Sequence, residues 1–152
     1  DRWEVQDYIA GGGDFSWEKN LDALERHKRE HAAREAFVFT VLSPDQTRYL
    51  GCVYISSMSE HFKGQRNTTL RAGIDDVAAA VRFWVRDSHY QNGLPKRLIL
   101  ALAKWFDEKW EFDTLMFHTS AEDQRQIQDY TELGYVLQYE LDLTYGLFFA
   151  KE

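Results

Sequence analysis

The sequence predicts a mixed α/β fold, a central sheet with helices on both faces and a parallel strand pair in its middle. Three observations carry this. Val77, Ala79, Val81, Phe83 and Val85 alternate with Ala78, Ala80, Arg82, Trp84 and Arg86, the period of a strand with one apolar face. A helical stretch opening at Pro95 and a second β-run, Phe112 to His118, follow it. Strand, helix, strand is a crossover unit, which sets its two strands parallel. Upstream, Phe37 to Leu42 and Tyr49 to Ile55 flank Ser43-Pro44-Asp45-Gln46-Thr47, turn chemistry that predicts an antiparallel hairpin.

In chain order, Gly11-Gly12-Gly13 is a flexible break, and Asp14 or Ser16 caps a helix running to about Glu35, with Trp17, Leu21 and Leu24 on one face. No strand precedes the three glycines, so they are not a dinucleotide fingerprint. The hairpin follows. Ser56 to Asp76 is polar and patternless, a gap long enough to be functional or mobile. After the alternating strand, Asp87 to Leu94 is a loop, and Pro95 stands where its missing N–H costs least. Leu98, Leu102 and Trp105 stripe that helix, with Ile99, Ala103 and Phe106 widening the arc towards a sheet. Past Phe112 to His118, Thr119 or Ser120 starts a helix ending at Gly134, a C′ glycine. Tyr135 to Leu143 and Tyr145 to Ala150 are two strands around Thr144.

The chain has 152 residues, suited to one domain that buries roughly two thirds of its unfolded surface. Apolar residues at 44% and aromatics at 15% exclude intrinsic disorder. Eighteen basic against twenty-five acidic residues give a net −7. That balance argues against nucleic-acid binding and fits a cationic or amine-bearing substrate better. Cys52 is the single cysteine, so no intrachain disulfide forms and a reducing cytoplasm is the expected setting. No apolar run spans a membrane, and the first residues do not read as a signal peptide. Asn67-Thr68-Thr69 spells a glycosylation sequon, idle without a secretory signal.

Several groups of residues bear on chemistry. Phe83 through Leu98 is strand, short loop, then helix start; free N–H groups at such a helix start suit phosphate, and Lys96 and Arg97 add charge there. The same residues fit an ordinary strand-to-helix connection with two solvated bases. Ser120-Ala121-Glu122-Asp123 matches a capping box, with Asp123 the returning carboxylate. Tyr130 shares a helix face with Ile127, the spacing of core residues. His27-Lys28-Arg29-Glu30-His31 spells an inverted zinc-protease motif, but on a highly charged helix with no third ligand; His31 reads better as the edge of the packing stripe. His118 ends a parallel strand, where open sheets place ligands, so it is a candidate base or a packed histidine. Glu60, His61, Asp75 and Asp76 border the long loop as solvated groups, and Cys52 reads as a small buried hydrophobe.

In this order the pieces resemble the GNAT superfamily of acetyl-CoA-dependent N-acetyltransferases, over nearly the whole chain from the Trp17 helix to Lys151. Leu50-Gly51-Cys52-Val53-Tyr54-Ile55 looks like the family's third strand. Val85 to Leu98, with Gly93 eight residues after Val85, looks like its acetyl-CoA motif. Tyr130-Thr131-Glu132-Leu133-Gly134-Tyr135 closes a segment similar to the family's "N…YeklGF". The resemblance implies a co-substrate, acetyl-CoA, with its pyrophosphate on backbone N–H groups of Gln91, Asn92, Gly93, Leu94, Lys96 and Arg97. It also implies that the main chain at Trp84 and Val85 pairs with the pantetheine arm where parallel strands splay. Asp123 would lie near that arm, and an amine of a small molecule or peptide would attack the thioester directly. Tyr130 would be the general acid, with His118 the candidate partner base. A homodimer is a further implication, since the final strands in this family often pair between subunits. The family's first strand would lie just before Asp1.

The sequence departs from the family at Tyr90-Gln91-Asn92-Gly93-Leu94-Pro95, where Pro95 replaces a small residue and removes one N–H, and at Asp123, where the family has Asn. These departures define an alternative: a non-catalytic module of the same fold, binding CoA weakly or not at all, that serves interaction or regulation. Tyr54, Phe62, Tyr139 and Tyr145 are aromatics that could line an amine site or merely pack.

Overall fold

A computed structural model of the chain describes residues 17–62, 77–140 and 146–152. The triglycine, the sequon, Asp75, Asp76 and Tyr145 lie outside the described residues, as does most of the Ser56–Asp76 stretch. The elements are α1 (Trp17–Ala33), β1 (Ala36–Leu42), β2 (Tyr49–Ser57), α2 (Met58–His61), β3 (Ala78–Val85), α3 (Leu94–Lys109), β4 (Thr114–Thr119), α4 (Gln124–Glu132), β5 (Val136–Glu140) and β6 (Leu147–Ala150). A one-turn 3₁₀ segment, Asp87–His89, joins β3 to α3.

The six strands form one sheet in the order β1-β2-β3-β4-β6-β5. The hairpin expected from the Ser43–Thr47 turn is present, with Phe37 opposite Ile55 and Phe39 opposite Val53. β3 runs antiparallel to β2 and parallel to β4, and the remaining pairings are antiparallel. The predicted mixed sheet with a central parallel pair is therefore the observed architecture.

Alternation along the strands sorts their side chains into two layers. Val53, Ile55, Val81, Phe83, Phe117 and Phe149 face α3 and α4, meeting Ile99, Leu102, Phe106 and Tyr130 in the main core. Each such fully buried side chain contributes roughly 1.5–3 kcal/mol. α3 can supply this layer because its apolar residues recur every three or four positions behind Pro95, with no glycine to weaken it. On the opposite face Ala78, Ala80 and Phe148 pack with Met58 and Phe62. β3 is consequently buried on both faces, Arg82 alone being partly exposed, so the expectation of one apolar face understated its burial.

Three local differences from the sequence reading have simple causes. Ser57 accepts from the Glu60 N–H at 3.1 Å and nucleates α2 inside a stretch expected to lack pattern. Asp123, and not Ser120, is the N-cap of α4: its carboxylate accepts from the Gln126 N–H at 3.1 Å, while Ser120 Oγ closes a smaller turn on Glu122. Both residue types cap helices, and the later one wins here. The stripe on α1 is not buried either; Trp17, Leu21 and Leu24 are all exposed, and the helix meets the sheet chiefly along β1.

Gly51, opposite Val85, shows how closely β2 and β3 approach, since a Cβ there would overlap the Trp84 carbonyl oxygen. Gly51→Ala is expected to cost about 1–3 kcal/mol, the usual range for overpacking. A urea midpoint equal to the wild type's would show that the strands can part at no cost.

Candidate active site

Two features of the sheet create a site: a gap between β3 and β4, and a cavity that meets it. The β3–β4 ladder runs from Ala78↔Thr114 to Val81↔Phe117 and stops, although β3 continues to Val85 and β4 to Thr119. The strands part at the next positions, Arg82 and His118.

Which backbone groups face this gap follows from the β2 side. The Arg86 N–H bonds the Leu50 carbonyl at 2.8 Å, in register with Gly51↔Val85 and Cys52↔Trp84. Antiparallel pairs alternate between bonded and non-bonded, so the amide and carbonyl of Trp84 face β2, and those of Phe83 and Val85 face the gap. The expectation that both Trp84 and Val85 turn their main chain to a ligand arm is corrected for Trp84, whose groups face β2; those of Val85 and of Phe83 face the gap. The Phe83 carbonyl is not left bare. The buried Gln126 donates its Nε2 to it at 3.1 Å.

Tyr130 lies against the same opening. Its ring stacks on Phe117 at 5.2 Å, the last paired residue of β4, and meets Phe83 edge-on at 6.4 Å. The side chain is fully buried, hydroxyl included. A Schellman closure at the end of α4 holds it there. Tyr135 N–H bonds the Tyr130 carbonyl at 3.0 Å, Gly134 N–H bonds Thr131 at 3.0 Å, and Gly134 takes φ +81°. The expected C′ glycine is thus what anchors Tyr130, which occupies a core position beside the gap.

The start of α3 is sparser in donors than the loop reading implied. Gly93 is the N-cap, with φ +75° and no side-chain cap bond. Its own N–H is held by Tyr90, and the Arg97 N–H by the Gly93 carbonyl. Between Leu94 and Lys96, Pro95 has no N–H to offer. Lys96 turns away to α4, pairing with Glu132 and, at 3.7 Å, with Asp129. Arg97 bonds back to the Asn92 carbonyl at 3.1 Å, and Asn92 contacts His89 at 3.2 Å. Gln91 is exposed, and Asp123 is occupied as a cap. The residues therefore fit an extended arm lying along β3 well, and a pyrophosphate at α3 with fewer donors.

On the opposite face of the sheet a cavity of about 480 Å³ opens beneath α1 and α2. Tyr54, Ala80, Arg82 and His118 form its floor, His61 comes from α2, and Arg26, His27 and Glu30 come from α1. His118 stacks on Phe148 at 4.7 Å and meets His61 at 5.0 Å. Gly146, at φ +96°, makes room for this ring, since a Cβ there would strike the His118 imidazole. His27 packs edge-on against Tyr54 and His31 against Phe37. Among the described residues no cluster of three or more metal-binding side chains occurs. Cys52 is buried, and burial raises its thiol pKa, in keeping with a packing role.

Sequence reasoning missed His27, His61, Arg82 and Gln126 as site residues. The available signal was Arg82 itself, a charge inside an otherwise apolar strand. His61 was read as solvated; it is instead held down from 6.5 to about 3, first by burial and then by the neighbouring His118 and Arg82. The folded state thus refuses a proton that the unfolded chain accepts. Its contribution to stability is complete above about pH 6.5 and is lost as pH falls towards 3. Between pH 7 and 4.5 the wild-type Tm is expected to drop by on the order of 5 °C more than that of His61→Gln. Parallel Tm curves would show that the imidazole is solvated.

No protein-family model matches the sequence, and no curated protein sequence matches it. Solved structures do match. A protein from Vibrio cholerae assigned as a ribosomal-protein-serine acetyltransferase superposes with TM-score 0.66 and 16% identity, over 90% of this chain and 75% of that one. An aminoglycoside acetyltransferase in complex with coenzyme A gives 0.63 and 14%, over 79% and 68%. A variant of the Vibrio cholerae spermidine N-acetyltransferase gives 0.61 and 14%, over 91% and 76%. At these identities the likeness establishes the fold, and the fold is that of the GNAT acetyltransferases.

Proposed function

From a GNAT-fold chain whose parted strands open beside an imidazole-lined cavity, we propose an N-acetyltransferase that moves an acetyl group from acetyl-CoA to an amine of a small molecule or peptide. The observation that carries the reading is the meeting of gap and cavity at Arg82 and His118, which line the cavity at the positions just past the last paired residues. A donor arm along Phe83 and Val85 and an acceptor in the cavity would face each other there.

Acetyl-CoA supplies an acetyl group activated as a thioester. The chain does the rest. The backbone of Phe83 and Val85 holds the arm, with Gln126 yielding the Phe83 carbonyl to it, and the N–H groups of Leu94 and Lys96 receive what phosphate contact α3 can give. Burial around Phe83, Phe117 and Tyr130 keeps water from the thioester. His118 takes the proton that the amine must lose as its nitrogen bonds the acetyl carbon. As the C–S bond breaks, the Tyr130 hydroxyl protonates the departing sulfur, a role open to a phenol because it still carries its proton at neutral pH.

A second reading rests on Pro95 and on the internal pairing of Lys96 and Arg97, which thin the phosphate site: a module of the same fold that does not catalyse. Calorimetry with acetyl-CoA and desulfo-CoA separates the two. The enzyme reading expects both to bind with Kd on the order of 1–100 µM, or about 5.5–8 kcal/mol. No heat with either at millimolar concentration would remove it in favour of the module.

A further inference from the structure

The cavity's charge speaks to the acceptor. Arg82 stands on β3 directly across from Tyr54, its guanidinium 4.7 Å above that ring. Stacking uses the guanidinium face and leaves its edge of N–H donors unspent. No carboxylate or carbonyl pairs with Arg82 among the described residues. Glu30 is the one carboxylate among the described lining residues, and Arg26 already pairs with it at 3.6 Å. The other polar groups are imidazoles, of which His27 and His61 are kept neutral chiefly by burial, and hydroxyls. In a chain of net −7, the unmatched fixed charge on this cavity is positive among the described residues. Overall charge led to the expectation of a cationic or amine-bearing substrate; the local charge keeps the amine and favours one that carries an anionic group as well. A diamine would bring its second ammonium up against Arg82, whereas a carboxylate would meet a planar, partly desolvated donor fork.

We propose that the acceptor is an amino acid, its carboxylate received by Arg82 and its amine directed to His118. The proposal rests on the acetyltransferase reading for its chemistry, but its recognition element can be tested apart from it. Arg82 and His118 occupy neighbouring positions on adjacent strands where the ladder ends, so the two groups they serve lie only a few bonds apart, as in an amino acid. The cavity, at about 480 Å³, leaves room for a side chain against Val38 and Tyr54, which share its face of the sheet.

The experiment pairs each free amino acid with its carboxamide and with the amine lacking the carboxyl group. Binding is measured by calorimetry without acetyl-CoA, and turnover by thiol release with it. The best free acid is expected to exceed its amide by at least about tenfold in both Kd and kcat/KM, the factor one charge-assisted pair supplies. Arg82→Gln is expected to erase that ratio and Arg82→Lys to restore part of it, a rescue that distinguishes recognition from loss of fold. Amides or simple amines handled as well as the acids would overturn the proposal, as would a panel in which nothing binds. Carboxylate-dependent binding by a protein that gives no heat with acetyl-CoA would uphold the subsite and sink the transferase reading instead.

Discussion

His118→Gln is expected to lower kcat/KM for acetyl transfer by about 100-fold, at the lower end of what a positioned general base contributes. An amine arrives largely as the ammonium ion and cannot attack until a proton leaves. Of the three imidazoles on the cavity wall, His118 stands where β3 and β4 part. His61 is a poorer base, since burial and its neighbours hold it down to about 3. His61→Gln should therefore retain most of the turnover. Glutamine keeps much of the volume beneath Phe148 and a polar end but cannot take the proton. The measurement is a steady-state profile across pH for wild type and both variants. Equal kcat in His118→Gln would reduce His118 to a packing residue.

Tyr130→Phe is expected to lower kcat at least about tenfold while leaving the affinity for acetyl-CoA nearly unchanged, the pattern of a group that acts only in the transition state. Phenylalanine preserves the stacking on Phe117 and the contacts to Phe83 and Phe149, so the core and the Schellman closure should persist. A kcat lowered together with a large fall in Tm would point to a structural role. Identical turnover would leave Tyr130 as core alone, the reading its spacing from Ile127 also allows.

The fold was largely legible in the sequence because its signals are local. The Ser43–Thr47 turn, the alternation through Val85, Pro95 at a helix start and Gly134 at a helix end each act within a few residues. The site was legible only in part. Tyr130 and His118 could be singled out from their places on elements, but what surrounds them could not. The cavity draws Arg26 and His27 from α1, Tyr54 from β2, His61 from α2, Arg82 from β3 and His118 from β4, and no spacing links them. Lys96 read as a phosphate ligand because its acidic partners on α4 lie more than thirty positions away, and Arg97 because its bond to the Asn92 carbonyl depends on the turn of the loop. Trp84 and Val85 looked equivalent because a strand's side-chain alternation does not say which neighbour its amides face. That depends on the ladder with β2.

The position of β6 bears on how this protein comes into being. Leu147–Ala150, every residue of it buried, lies between β4 and β5 and pairs with both, whereas β5 pairs with no other strand among the described residues. During synthesis, then, β4 emerges with one edge open and β5 with nothing to join. Phe148, on which the His118 ring rests, is still to be made. Open apolar edges of this kind invite pairing with the wrong chain. The cavity floor and the pairing of β4, β6 and β5 are therefore completed together, only once those four residues have cleared the ribosomal tunnel.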